Sequence, residues 1–254
     1  MTIDTQTRID PLWWSGKGAH GGHVAALALR AVRDRFAGDA RPVRTLTTHF
    51  LAPVDVSPLY FSGSAPAAGR RTAACMFTGH QDGAPVVLGT ALFGPARTGP
   101  SYDGRPAPGV PGPDDCPAVE LPPRLAPFAR QLEIRPATDD RPLAGGDRAE
   151  LTAWVRFLDG RALDAEAVAT LTDVLPPALF ARWTIPRPVP TAELTVHFTD
   201  ALAAGPVDGG WALVHMRNER AGGAWAVDDC AVWSADGRLL ALGRQARVVR
   251  DPRP

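Results

Sequence analysis

The sequence predicts an α+β protein made of two copies of one unit, each a central helix wrapped by an antiparallel sheet. Three observations carry that expectation. One rough pattern occurs twice, as Leu46-Thr47-Thr48-His49-Phe50 and as Leu194-Thr195-Val196-His197-Phe198. A turn signal recurs after each, Asp82-Gly83 ahead of Val86-Val87-Leu88-Gly89 and Asp236-Gly237 ahead of Leu239-Leu240-Ala241-Leu242-Gly243. Each block also follows an apolar helical stretch. A spacing this long belongs to a duplicated domain and not to a solenoid array. The 254 residues suffice for two units, of roughly 120 residues each.

In the first unit, residues 1–94, Gly21-Gly22 opens a stretch from His23 to Phe36. Its residues 24–32 are apolar except for Arg30. A helix apolar on nearly all sides is a buried helix. A loop over Gly38–Arg41 follows, then strand candidates at 43–51, 58–66, 70–79 and 85–94, divided by Gly69 and the Asp82-Gly83 turn. Residues 95–127 are rich in Pro and Gly and read as a linker with little regular structure. Its length suits a crossing between packed units and not a loop inside one. The second unit, residues 128–254, opens with strand candidates at 128–135 and 150–158. Asp164 is a helix N-cap with Glu166 in the first turn. The helix runs from Ala165 to about Leu175, where Pro176-Pro177 stop it. Strands follow at 191–199, 211–219, 223–234 and 238–249.

Composition narrows the function. The 27 basic and 27 acidic residues cancel, and no Lys/Arg block stands out, so no nucleic-acid partner is expected. The apolar runs fall short of the ~18 residues of a membrane span. The start, MTIDTQTRIDPLWW, lacks the pattern of a signal peptide. A cytoplasmic protein with no membrane partner is therefore expected. Cys75, Cys116 and Cys230 are too dispersed for a disulfide framework or a zinc site and read as free thiols.

Among polar residues Asp173 comes first. It sits in an otherwise apolar run, VATLTDVLPPALF. Burial and the helix C-terminus both oppose a negative charge there, which suits a general base. The plainer reading is a helix-end Asp facing solvent. Gln245 comes second. Counted through the Asp-Gly turns, its counterpart in the first copy is Ala91, so an amide has a task in one copy only. The plainer reading is an outward strand Gln, flanked as it is by Arg244 and Arg247. Thr191 begins the strand leading to His197. His20 and His23 form an HxxH beside two glycines. No further ligand pair completes a site, so no metal is expected. The glycines instead make a tight helix start whose free N–H groups can bind an anion or polarise a carbonyl. The recurrence of His49 and His197 points to a structural duty. No G-x-S-x-G, P-loop or strand-linked G-x-G-x-x-G occurs.

At these residues the chain resembles the double-hotdog acyl-CoA thioesterases of the bacterial acyl-CoA thioesterase II type. Gly21-Gly22-His23-Val24-Ala25-Ala26-Leu27 is similar to the family's central-helix start. His49-Phe50-Leu51-Ala52-Pro53-Val54-Asp55 resembles its YFLRPGD-like strand end, with Ala-Pro-Val-Asp in place of Arg-Pro-Gly-Asp. Residues from Asp82 to Phe93 resemble its Asn-Gly-Lys-Pro hairpin. The family's Asp, Thr and Gln match Asp173, Thr191 and Gln245 in order and spacing, and the likeness covers residues 12–249. The resemblance implies a double hotdog that hydrolyses acyl-CoA to a carboxylic acid and CoA. A water held by Asp173, Thr191 and Gln245 attacks, with no covalent intermediate and no cofactor. Gly22 and His23 would supply oxyanion N–H groups. One active site per chain and a homo-oligomer are expected. An acyl group on a carrier protein is the other substrate. A double-hotdog hydratase and a non-catalytic acyl-binding protein are the competing readings. Convergence of the three side chains on one water separates catalysis from binding.

Overall fold

The apolar run after Gly21 forms a helix because Val24, Ala25, Ala28, Leu29 and Val32 all find buried surroundings. The computed structural model describes residues 2–37, 41–68, 72–121, 126–203, 205–208 and 210–251. The first unit comprises β1 (Thr2–Thr7), a short hairpin of β2 (Trp14–Ser15) and β3 (Gly18–Ala19), and α1 (Gly21–Val32). Strands β4 (Val43–Phe50), β5 (Leu59–Ala68), β6 (Ala73–Gln81) and β7 (Ala84–Phe93) follow. The second unit comprises β8 (Leu132–Pro136), β9 (Glu150–Phe157), α2 (Ala165–Leu171) and β10 (Thr191–Phe198). It ends with β11 (Ala212–Gly222), β12 (Trp225–Ser234) and β13 (Leu239–Val248).

Eleven strands form one sheet in the order β1-β5-β6-β7-β4-β10-β13-β12-β11-β9-β8. The halves join where β4 and β10 pair antiparallel, and there the two repeated pentapeptides meet each other. Thr47 lies opposite Thr195, its own counterpart in the repeat, and their hydroxyls are 2.9 Å apart. A residue paired with its counterpart marks a local two-fold axis. Read outward from it, β4-β7-β6-β5-β1 matches β10-β13-β12-β11-β9, with β8 added at one edge. Even the register shifts match, between Val43 and Thr45 on β4 and between Thr191 and Glu193 on β10. The architecture is the double hotdog.

The axis sets α1 and α2 antiparallel against each other. Arg33, after α1, holds Glu166 of the first turn of α2 at 2.7 Å. At the other end, the first turn of α1 meets the end of α2. An added Cβ on Gly22 would stand 2.7 Å from the Thr170 carbonyl oxygen and 3.1 Å from that of Ala169. Both are backbone atoms, so glycine is required for this approach.

The Pro- and Gly-rich segment has a short 3-10 turn at Pro113–Asp115 and lies over the outer face of the second unit. Trp154 donates its indole N–H to the Pro111 carbonyl at 2.8 Å, and Trp233 donates to that of Arg105 at 3.1 Å. Val110 and Cys116 pack beside these rings. Loop carbonyls on a sheet face are thereby satisfied.

Several boundaries differ from expectation. Strand β1 was not legible, because TIDTQT has no apolar alternation; it pairs with β5 through its backbone. The expected strand at 128–135 begins as a 3-10 turn, Pro127–Gln131, since Pro127 favours a turn start, and only then becomes β8. The α2 helix stops at Leu171, short of Leu175. The loop at 38–40 and the divider Gly69 lie outside the described residues. Among the described residues no helix is long and apolar enough to cross a membrane.

Gly22→Ala should push α1 and α2 apart and cost about 1–3 kcal/mol. A fall of several degrees in thermal midpoint checks this; an unchanged midpoint would remove the close-approach argument.

Candidate active site

Asp164 starts α2 by accepting the Ala167 N–H at 2.7 Å. The helix then ends early. Buried Thr172 turns its hydroxyl back to the Ala169 carbonyl at 2.7 Å, and the Asp173 N–H reaches the Thr170 carbonyl at 3.3 Å. Asp173 thus sits on the turn after α2, not within the helix, with its side chain nearly buried. Its Oδ2 accepts the Gly22 N–H at 3.0 Å, and its Oδ1 faces Arg247 Nη2 at 3.5 Å. Its backbone carbonyl accepts from His20 Nε2 at 3.0 Å. His20 Nδ1 accepts the His23 N–H at 3.1 Å, which places the proton of the neutral ring on Nε2.

Thr191 and Gln245 meet directly. The Thr191 hydroxyl donates to Gln245 Oε1 at 3.1 Å, while Gln245 Nε2 donates to the Thr172 carbonyl at 2.9 Å. The latter bond fixes which end of the amide is oxygen. Arg247 completes the group. Its Nη1 donates to Thr191 Oγ1 at 2.8 Å, and its Nε lies 2.8 Å from Asp228 Oδ2 as an ion pair off the hydrogen-bond axis. Asp228 also accepts from Asn218 Nδ2 at 2.8 Å. Gln245, Arg247 and Asp228 are all buried. Asp173, Thr191 and Gln245 therefore share one cluster, with Asp173 linked to the other two through Arg247 and the Thr172 backbone.

The helix start is occupied by the chain's own groups. The N–H groups of Gly22 and His23, the expected oxyanion donors, each bond an acceptor of the chain in this structure, Asp173 Oδ2 and His20 Nδ1. They fasten the helix start instead. The HxxH histidines serve likewise: His20 bridges the helix ends, and the His23 ring stacks on Trp13 at 4.5 Å. Among the described residues no group of three His, Cys, Asp or Glu could hold a metal ion. His49 and His197 both sit exposed on their strands. Arg247 and Asp228 were missed. The signal was the period of two, which puts Arg247 on the same face of β13 as Gln245 and sends Arg244 outward to Asp229.

The register shows what the first unit has instead. Thr191 pairs with Arg247 as Val43 pairs with Phe93, and Leu194 with Gln245 as Leu46 with Ala91. Gln245 in turn pairs with Asp228 as Ala91 pairs with Cys75. Thr191, Asp228, Gln245 and Arg247 thus correspond to Val43, Cys75, Ala91 and Phe93, all buried and apolar. At these four strand positions the polar side chains stand in the second unit.

A duplicated hotdog with a buried polar cluster in its second unit has relatives among known proteins. Residues 10–94 match the acyl-CoA thioesterase N-terminal domain and residues 113–249 the acyl-CoA thioesterase C-terminal domain. The chain belongs to the acyl-CoA thioesterase family, and thioester hydrolysis is the chemistry of that family. A conserved hot dog protein of unknown function from Alicyclobacillus acidocaldarius is 27% identical, with TM-score 0.89 over 98% of this chain and 94% of that one. A TesB protein of Mycobacterium avium subs paratuberculosis is 22% identical, with TM-score 0.77 over 98% and 93%. The acyl-CoA thioesterase II TesB2 of Mycobacterium marinum is 22% identical, with TM-score 0.74 over 91% and 89%. The last two likenesses establish the fold. No curated protein matches the sequence.

Burial lowers the pKa of His20 and brings that of His23 from 6.5 down to about 3. In the unfolded chain a histidine titrates near ~6.5. Below that pH the unfolded state takes up protons that the folded state refuses. The contribution is therefore complete above pH ~6.5 and is lost as pH falls toward the folded value. From pH 7.5 to 5, the urea midpoint should fall by the equivalent of about 1–2 kcal/mol. His23→Phe keeps a ring on Trp13 and should flatten that dependence; an unchanged slope would contradict it.

Proposed function

We propose that this chain hydrolyses acyl-CoA thioesters to a carboxylic acid and free CoA, through a water positioned by Asp173, Thr191 and Gln245. The observation that carries the reading is that Thr191 and Gln245 bond each other and Asp173 joins them through Arg247, while apolar Val43 and Ala91 stand at the positions of Thr191 and Gln245 in the other unit.

The hydrogen bonds leave specific vacancies for a water. One amide hydrogen of Gln245 is committed to Thr172, and the second is free to hold a water oxygen. Thr191 spends its hydrogen on Gln245 and one lone pair on Arg247, leaving one lone pair for a water hydrogen. The Asp173 carboxylate takes the other hydrogen. A water so held is a weak nucleophile fixed in attack geometry. Its oxygen bonds to the carbonyl carbon as Asp173 accepts its proton. The tetrahedral adduct then breaks its C–S bond, and Asp173 returns the proton to the departing sulfur.

Gly21 leaves the carboxylate's flank clear of a side chain. An added Cβ there would lie 2.8 Å from Asp173 Oδ2 and 3.3 Å from the Phe50 ring. The half-buried Phe50 supplies an apolar wall for the acyl group beside the base. The cysteines take no part: all three are free and buried, and burial pushes the Cys75 thiol up to about 11.

The test is thiol release from butyryl-, octanoyl-, palmitoyl- and benzoyl-CoA. Wild type should cleave at least one, and Asp173→Asn should lower kcat about 10²–10⁴-fold. A folded wild type that cleaves none, or an Asn variant with full activity, overturns the reading.

A further inference from the structure

The geometry points to the Asp228–Arg247 ion pair as the positioning device of this site. Arg247, anchored by Asp228, sets the direction of the Thr191 hydroxyl and faces the Asp173 carboxylate. The inference rests on the hydrolytic reading above and adds two residues to it.

Three observations converge. The first is the reach of Arg247 to three side chains. One guanidinium has Nε in an ion pair with Asp228 at 2.8 Å, donates from Nη1 to Thr191 at 2.8 Å and turns Nη2 toward Asp173 at 3.5 Å. Because Nη1 donates to Thr191 Oγ1, the hydroxyl hydrogen must point elsewhere, and it points to Gln245. Remove the guanidinium and Thr191 can rotate, turning its hydrogen where a water's hydrogen should go. The second is the mounting of Asp228. It is fully buried and holds Asn218 at 2.8 Å while facing the Ala178 N–H at 3.4 Å. These contacts come from β11 and from the turn after Pro177, so the anchor is fixed independently of the residues it serves.

The third is the repeat itself. Arg247 corresponds to Phe93 and Asp228 to Cys75, and those positions are completely closed by apolar side chains. The backbone therefore packs well there without ions. Burying an ion pair gains little stability over an apolar pair of similar volume and frequently loses some. A cation retained in the second unit alone, touching two of the three proposed site residues, has a task that packing does not explain. Arginine suits it, since a planar fork reaches several acceptors that a lysine ammonium cannot span.

The experiment compares wild type, Asp173→Asn, Arg247→Lys and the double variant Asp228→Asn/Arg247→Met on the acyl-CoA that wild type cleaves. The double change replaces the Asp228–Arg247 pair by neutral groups, and the Asp173 carboxylate keeps its bond from the Gly22 N–H. Expected is a folded double variant with kcat down about 100-fold, the scale of a lost positioning contact, and KM within about twofold. Arg247→Lys should keep the charge and recover only part of the rate. A folded double variant with wild-type kcat overturns the inference. Should the double variant fail to fold, Arg247→Lys decides alone: kcat lowered at constant KM supports positioning, and unchanged kcat refutes it. Loss of activity in Asp173→Asn beside full activity in the double variant overturns this inference only. Full activity in Asp173→Asn, or an inactive wild type, overturns the hydrolytic reading and this inference with it.

Discussion

The close approach of the first turn of α1 to the end of α2 is the contact on which the site depends. It needs Gly22, because two backbone carbonyls occupy the space a side chain would take. Once the helices touch, a free N–H at the start of one meets the carboxylate that follows the other, and His20 ties the same two ends through the Asp173 carbonyl. The arrangement also relieves the helix start, whose N–H groups have no partner within the helix. One contact thus satisfies a helix terminus and fixes a buried acid.

The duplication gives each strand position two occupants, and the chain fills them differently. A two-fold axis through Thr47 and Thr195 makes each backbone position occur twice, so each half could in principle hold the same chemistry. The chain fills one set with Val43, Cys75, Ala91 and Phe93 and the other with Thr191, Asp228, Gln245 and Arg247. The apolar set supplies core volume. The polar set gives up apolar burial, and its groups are tolerable inside only because each has a partner. At the opposite end of the helix pair a different solution appears, where Arg33 binds the buried Glu166 and burial raises the acid's pKa.

The linker adds to this asymmetry. Its carbonyls at Arg105 and Pro111 receive indole N–H groups from the sheet of the second unit, so that unit's outer face is covered by the chain's own irregular segment. Large aromatic residues on an outward face, Trp154 and Trp233, become core residues by this means. A Pro-rich run leaves few backbone N–H groups needing acceptors, which suits it to lie across side chains.

The duplication, the buried glycine-led helix, the antiparallel strands and the Asp-Gly turns were all legible in the sequence. Each of these is written in local periodicity and turn chemistry. It also determined that Gln245 has no amide counterpart, and the register bears this out by pairing Ala91 with Leu46 as Gln245 pairs with Leu194. Resemblance added Thr191 and raised Asp173 above its plainer reading. Contacts in space, and not the sequence, put Asp173 beyond its helix, engage the Gly22 and His23 N–H groups and bring Arg247 and Asp228 into the cluster. The physical reason is range. A strand's period gives which face Arg247 takes, but whether that face meets solvent or an acid depends on partners far away in sequence, on β10, β12 and the end of α2. A charged residue's meaning is set by its neighbours in space, and those are fixed only when the two halves close on their axis.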